Sequence, residues 1–315
     1  MIPDGRRRGP RALRPDGPVV TRVARLARPV GWVLAVLGLV FLGHALSRTD
    51  LAAVVSVAAV WQLLAGAAVY ALATLLLASA WIGLLRMQAG ERMAAGPLVV
   101  VYARSVLAKY VPGSLFQYLT RHADLVGRRI GQAGIAKANL SEIASQASAA
   151  LVVVCCGLLP IWPFRLLPLP LPAAALWLVP AAVIGGLAVL AVVFRRRFRT
   201  AEILRAAAVR HVAYFVLLEA ISLFLLHRAA PEAFADLPYG AFTLAWLAGY
   251  VVIGAPGGLG VREGAYIALL QPHADIGTIA AVALTMRLIT VAGDAAFSLA
   301  ALGYGTRRSG GAGGA

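Results

Sequence analysis

The chain has 315 residues, 61% of them hydrophobic and only 13% charged, with a mean hydropathy of +0.82. Soluble domains carry about a quarter charged residues, so an ordinary soluble enzyme is excluded and a membrane solvent is the simplest cause of this composition. The formal charge of +16 comes from 29 Lys+Arg against 13 Asp+Glu, but the arginines stand between apolar runs, a pattern of topology signals and headgroup attraction that sets nucleic acid aside as a partner.

In chain order, the first 28 residues hold eight arginines (Arg6, Arg7, Arg8, Arg11, Arg14, Arg22, Arg25 and Arg28) among prolines and glycines, which predicts a disordered basic arm. Uncharged windows then run over residues 29–47, 51–85, 143–164, 166–194 and 237–261. Two more, 211–227 and 276–306, are interrupted only by Glu219 and by Arg287 and Asp294. A helix of roughly 20 apolar residues crosses a hydrocarbon core of about 30 Å with its backbone polar groups satisfied internally, so each window can hold a span. Window 29–47 lacks a small-x-small cleavage site before Arg48 and is expected to be an uncleaved first span.

Window 51–85 exceeds one crossing and is expected to divide into an interfacial helix at 51–60 and a span at 62–85, with Trp61 and Trp81 as interfacial aromatics at its ends. Pro160, Pro163, Pro168, Pro170 and Pro172 cannot be helix interior. They predict a loop between spans at 139–159 and 173–194. Cys155 and Cys156 are adjacent in an apolar run, with no metal-ligand spacing around them; they are read as packing residues, and no cofactor is implied. Asn139-Leu140-Ser141 matches a glycosylation sequon, but Asn139 with Glu142 three residues on is read as a helix N-cap and capping box. Ser141, Ser145 and Ser148 form a polar stripe of the packing kind.

Twenty Lys and Arg in one set of alternating loops, against three (Arg48, Arg165 and Arg228) in the other, predict a cytoplasmic N-terminus. The expected fold is all-α, a polytopic membrane bundle of seven or eight spans. Eight is preferred, because it returns Arg307 and Arg308 to the cytoplasm. Two segments depart from simple spans. Residues 96–111 are apolar but short, carry Arg104 and Lys109, and run into Pro112-Gly113. Residues 254–270 contain Pro256, Gly257, Gly258, Gly260 and Gly264 around Arg262-Glu263. Both are read as re-entrant or broken helices. Pro112-Gly113-Ser114-Leu115 and Pro256-Gly257-Gly258-Leu259 are alike, each followed by an arginine, Arg121 or Arg262. Paired breaks of this kind point to a transport site.

The run from Pro256 to Gly264 carries the chemistry. Its glycines allow close backbone approach, its N–H groups can point at an anion, and Arg262 can grip phosphate through two parallel hydrogen bonds. The competing reading is a tight helix turn with Arg262 paired to Glu263 or snorkelling to headgroups. Gly258, Gly260 and Gly264 are not a dinucleotide fingerprint, because no strand precedes them. Phosphate-loop ATPase, HExxH and GxSxG signatures are absent from the chain, and an enzymatic role is not expected. Glu142, Glu219, Arg287 and Asp294 are ionisable groups expected at membrane depth, where each needs a partner or a wet cavity. Arg287 and Asp294 are seven apart and share a helix face; an interhelical ion pair that only fixes packing is the plain alternative for them. For Glu219 a proton or cation role stands beside a structural hydrogen bond.

Three stretches taken together, Ala80-Trp81-Ile82-Gly83-Leu84-Leu85, Lys109-Tyr110-Val111-Pro112-Gly113 and Pro256-Gly257-Gly258-Leu259-Gly260-Val261-Arg262-Glu263-Gly264, resemble in order and spacing the lysylphosphatidylglycerol synthase transmembrane (flippase-like) family. That family includes the N-terminal flippase region of bacterial multiple peptide resistance factors. The resemblance covers roughly residues 29–304, and Ala80 stands where relatives often carry arginine. It implies a flippase-like transmembrane domain over 29–304, between the basic cytoplasmic arm 1–28 and a disordered Gly-rich tail 305–315. A soluble aminoacyltransferase domain is not expected in this chain.

The functional expectation is a lipid translocase of the bacterial cytoplasmic membrane, moving a phosphate-bearing lipid, aminoacylated or polyprenyl-linked, between leaflets. Anionic membrane lipids are its expected partners. Arg262, Arg104, Lys109 and Arg121 would attract the phosphate, while Pro112, Gly113, Gly257, Gly258, Gly260 and Glu263 would shape the headgroup site. Two other readings fit the same residues. One is a non-transporting membrane partner of an envelope glycosyltransferase or lipid-modifying enzyme, docking through its basic segments. The other is a proton-coupled small-solute transporter working through Glu219.

Overall fold

In a computed structural model the described residues are 60–89, 93–110, 116–125, 131–158, 199–232, 238–252 and 256–311. The basic arm, the expected span at 29–47, the interfacial segment before residue 60, the Pro112-Gly113 break, the proline-rich loop and the expected span at 173–194 lie outside them. Among the described residues the regular structure is helical throughout. The elements are α1 (Val60–Ala89), α2 (Ala95–Ala108), α3 (Phe116–Leu125), α4 (Gln132–Leu158), α5 (Arg199–Ala229), α6 (Ala241–Val251), α7 (Val261–Leu270) and α8 (Ile276–Gly311).

Four of these helices are long and apolar enough to cross a membrane, over Val60–Ala89, Gln132–Gly157, Ala201–Ala229 and Ile276–Tyr304. Their apolar residues run all round the cylinder rather than along one stripe, as lipid or a buried setting requires. The helices α2, α3, α6 and α7 have 14, 10, 11 and 10 residues. At 1.5 Å per residue they reach only about 15–21 Å, short of a bilayer core.

Several expectations change here. Window 237–261 is not one span: α6 stops at Val251, Val252 is extended, and a tight 3-10 turn over Pro256–Gly258 leads into α7. The cause is local, since Gly257, Gly258 and Gly260 all take positive φ (55°, 75° and 78°), a region that side-chain-bearing residues avoid. Helix α4 begins at Gln132, well before Asn139, so the capping box does not form. Asn139 Oδ1 instead accepts a hydrogen bond from Trp81 Nε1 at 2.9 Å. Trp61 is 66% exposed, but Trp81 is fully buried and packs inside the bundle rather than anchoring an interface. Helix α8 runs past Tyr304 to Gly311, so the Gly-rich end begins as helix rather than as disordered tail.

Helices α1 and α8 approach closely at glycines. A Cβ on Gly293 of α8 would lie 2.7 Å from the Ala67 carbonyl oxygen of α1, and one on Gly66 would lie 2.8 Å from Ile289 Cδ1. Such contacts let dispersion hold helices together where lipid removes the hydrophobic drive. One apolar cluster forms around Tyr70, Phe215, Trp246, Tyr266 and Ile289; a second forms around Trp81, Leu84, Leu98, Tyr102 and Phe297.

A buried ion pair ties α3 to α4. Arg121 Nη1 meets Glu142 Oε2, and Arg121 Nε donates to Ser105 Oγ at 2.7 Å. The other Glu142 oxygen accepts from Tyr102 at 3.2 Å and from Gln146 at 3.3 Å. The rings of Trp81, Tyr102 and Tyr118 surround the guanidinium. Removing one partner of such a pair strands a buried charge, so Glu142→Ala is expected to destabilise the protein by about 3–5 kcal/mol. In detergent melts, the double change Arg121→Met with Glu142→Leu should recover most of that loss.

Candidate functional site

Helix α8 carries Arg287 and Asp294 on one face, on either side of the middle of the stretch Ile276–Tyr304. They do not pair with each other; each holds a different helix break. Asp294 Oδ2 accepts from Lys109 Nζ at 2.6 Å and from Tyr110 Oη at 2.5 Å, both in the turn that closes α2. Arg287 Nη1 donates to the Gly257 carbonyl at 3.2 Å and lies 3.9 Å from Glu263 Oε1. The end of α2 and the turn before α7 are thereby brought to the same helix.

Arg262 enters this space from the first turn of α7. Gly260 caps that helix, and Glu263 turns back to accept the Gly260 N–H at 2.8 Å. The Arg262 stem lies in a slot cut by two glycines: a Cβ on Gly258 would be 2.5 Å from Arg262 Nε, and one on Gly249 of α6 would overlap Arg262 Cγ. Its guanidinium carbon is 5.2 Å from the centre of the Trp246 ring, within cation–π range. Its Nε is buried without a hydrogen-bond partner. A buried arginine donor without a partner is a costly arrangement unless something anionic visits it.

The cavity that Arg262 faces contains about 70 Å³ of free space, lined by Lys109 and Asp294, the glycines 249, 257 and 258, and a belt of aromatic residues. Roughly 10–15 Å³ of such space holds one water, so the cavity suits a small polar group, not a whole lipid. Tyr214 donates to Tyr70 at 3.1 Å, and Lys109 reaches the same Tyr70 hydroxyl at 3.5 Å. Tyr118 and Tyr250 share a hydrogen bond of 2.9 Å across the cavity. Lys109 and Arg262, with glycine backbone and several hydroxyls, can bind an oxyanion, while a third cation in the wall, Arg121, is paired with Glu142. Among the described residues no group of three or more His, Cys, Asp or Glu stands together in a way that could hold a metal ion.

The expected site residues therefore separate. Arg262, Lys109, Gly257, Gly258 and Asp294 meet at the cavity, with Arg287, Gly260 and Glu263 shaping the turn behind it. Arg121 touches the wall but is committed to Glu142. Arg104 is outside: its side chain is 56% exposed and lies 3.5 Å from Asp124. The reason is helical phase, since Arg104 and Lys109 on and after α2 point to different sides. Pro112 and Gly113 lie outside the described residues.

Glu219 has a structural partner set. It accepts the Gly240 N–H at 3.0 Å, the Thr243 N–H at 3.0 Å and the Thr243 hydroxyl at 2.7 Å. It thus caps α6 from α5, because Gly240 at the cap position has no side chain to do so. Of the stripe on α4, Ser145 shares a 2.8 Å hydrogen bond with His211 Nδ1 of α5, and Ser148 is exposed.

A search led by charges overlooks Tyr70, Tyr110, Tyr118, Tyr214, Trp246, Gly249 and Tyr250. The signal available for three of them was the spacing of Trp246, Gly249 and Tyr250, which puts a small residue between two aromatics on one helix face.

No family model, curated protein or solved structure matches the chain, so the family resemblance rests on its motifs alone.

Replacing Glu219 by Ala removes a cap and strands buried donors, and is expected to cost about 1–2 kcal/mol. Glu219→Gln should cost less. Thermal melts of both variants in detergent check this ordering.

Proposed function

We propose that the chain is a multi-pass membrane lipid translocase of the flippase-like kind, moving phosphate-bearing headgroups between leaflets of a bacterial cytoplasmic membrane. The observation that supports this reading most is Arg262, held in a glycine slot at a helix break, facing a polar cavity with a buried Nε that has no partner. A phosphate dragged through hydrocarbon would lose its hydration with nothing in return. A small cationic cavity lowers that barrier for the headgroup alone, and the acyl chains stay in the bilayer.

In this reading α2 and the α6–α7 pair are re-entrant or broken elements, since all three helices are too short to cross. Together with the apolar windows 29–47 and 166–194 they bring the bundle to seven or eight crossings, with the N-terminus in the cytoplasm by its arginine excess. The phosphate is gripped by Arg262, with Lys109 and the backbone at Gly257 and Gly258 close by. Arg104 takes no part.

The test is leaflet exchange of a fluorescent phosphatidylglycerol by the full chain in phospholipid vesicles. A charge-assisted hydrogen bond contributes about 1.5–3 kcal/mol, so Arg262→Ala is expected to slow exchange at least about tenfold. Arg104→Ala is expected to leave it near the unmodified rate. Normal exchange by the Arg262 variant rules out this site, and no exchange above protein-free vesicles by the unmodified chain rules out the function.

A further inference from the structure

A groove larger than the Arg262 cavity lies on a different face of α1, between α1, α2 and α5. It holds about 540 Å³ of free space, within the roughly 300–1,000 Å³ typical of ligand pockets. Leu75, Ala78 and Ile82 of α1, Val99 of α2, and Ile203 and Ala206 of α5 make its apolar wall. No residue lines both the groove and the cavity.

The charged residues of the groove lie where headgroups lie. Arg86 follows the uncharged window 51–85, and Arg210 precedes the window 211–227; both line the groove. Arginines at the edges of apolar windows stand at the headgroup level, with their stems along apolar surface. A Cβ on Gly83 would lie 3.7 Å from Ile203 Cγ2, and Tyr70 meets Tyr214, so α1 and α5 run antiparallel. Side chains lean toward the N-terminus of their own helix, and Arg86 and Arg210 therefore lean toward each other along the groove. Among the described residues the ion pairs include neither of them. Arg86 donates to the Met93 carbonyl, and its Nε is buried without a partner. Glu202 is the one acid in the lining and is exposed, so the lining is cationic on balance.

We propose that this groove binds a phospholipid, with an acyl chain along the apolar wall and the phosphate between Arg86 and Arg210. Basic pockets between membrane helices hold anionic headgroups in this way. Leu75 is 44% exposed, and α1 and α5 are of membrane-crossing length, so the wall meets acyl chains before it meets water. Inorganic phosphate would leave that wall uncovered, which sets it aside as the occupant. The site stands apart from Arg262 and holds whether or not the chain exchanges lipid between leaflets.

The experiment is native mass spectrometry of the full chain in detergent, titrated with dioleoyl phosphatidylglycerol and, separately, with dioleoylglycerol, which has the same chains and no phosphate. The unmodified chain is expected to retain the phospholipid at one tight site and to release the diacylglycerol. Each arginine supplies charge-assisted hydrogen bonds, so Arg86→Gln with Arg210→Gln is expected to weaken that site at least about tenfold. Ala206→Phe, which fills the apolar wall and keeps both arginines, should weaken it in the same direction. Should the double variant fail to fold, Arg210→Gln alone carries the same expectation. Equal retention of the two lipids, or unchanged affinity in the arginine and Ala206 variants, overturns the proposal. Loss of the tight lipid in Arg262→Ala but not in the groove variants assigns that lipid to the other cavity and overturns it too. If the unmodified chain retains no phospholipid while Ala206→Phe lowers its melting temperature, another part of the protein fills the groove and the proposal falls.

Discussion

The arrangement depends on helix α8 offering opposite charges two turns apart on one face. Asp294 takes the end of α2, and Arg287 takes the turn before α7. Short helices end in carbonyls and N–H groups that have no partner within the helix. Tying both ends to the same long helix gives the Gly257 carbonyl a partner in Arg287, holds the end of α2 through the Lys109 and Tyr110 side chains, and makes the two breaks neighbours. Without that clasp, the motif around Arg262 would be a surface turn and Lys109 an isolated buried cation.

The cavity follows from what the glycines leave out. Gly249 and Gly258 give up the space into which the Arg262 stem fits, and the positive φ values at Gly257, Gly258 and Gly260 turn the chain sharply beside it. Arg262 is thus positioned by packing and by the Trp246 face instead of by hydrogen bonds. Packing of this kind orients the cation while leaving its Nε donor unpaired. The aromatic belt lines the same space, and its phenols bring hydrogen-bonding groups to it without adding charge.

Among the described residues, two ion pairs with fully buried carboxylates are satisfied to different degrees. Arg121 and Glu142 are wrapped in rings and hydrogen bonds, and nearly every polar atom has a partner. Such saturation fits a staple between α3 and α4. Lys109 and Asp294 sit at a cavity, share partners unevenly and leave an oxygen bare.

Composition and apolar run length were enough to give the helical class and four long apolar helices, because a hydrocarbon core imposes both length and internal hydrogen bonding on any segment that crosses it. The breaks were also legible: Pro256 and its glycines are incompatible with continuous helix whatever surrounds them. Arg262 as a centre of interest followed from those same residues. Partner choice was not legible. Whether Asn139 caps a helix or receives Trp81, whether Glu219 moves protons or caps α6, and whether Arg104 or Lys109 reaches the cavity are questions of helical phase and of which helix lies opposite. A linear charge pattern places an ionisable group at a depth in the membrane. Only the packed bundle decides which face it shares and with whom, because side-chain contacts between helices depend on rotations that local sequence leaves open.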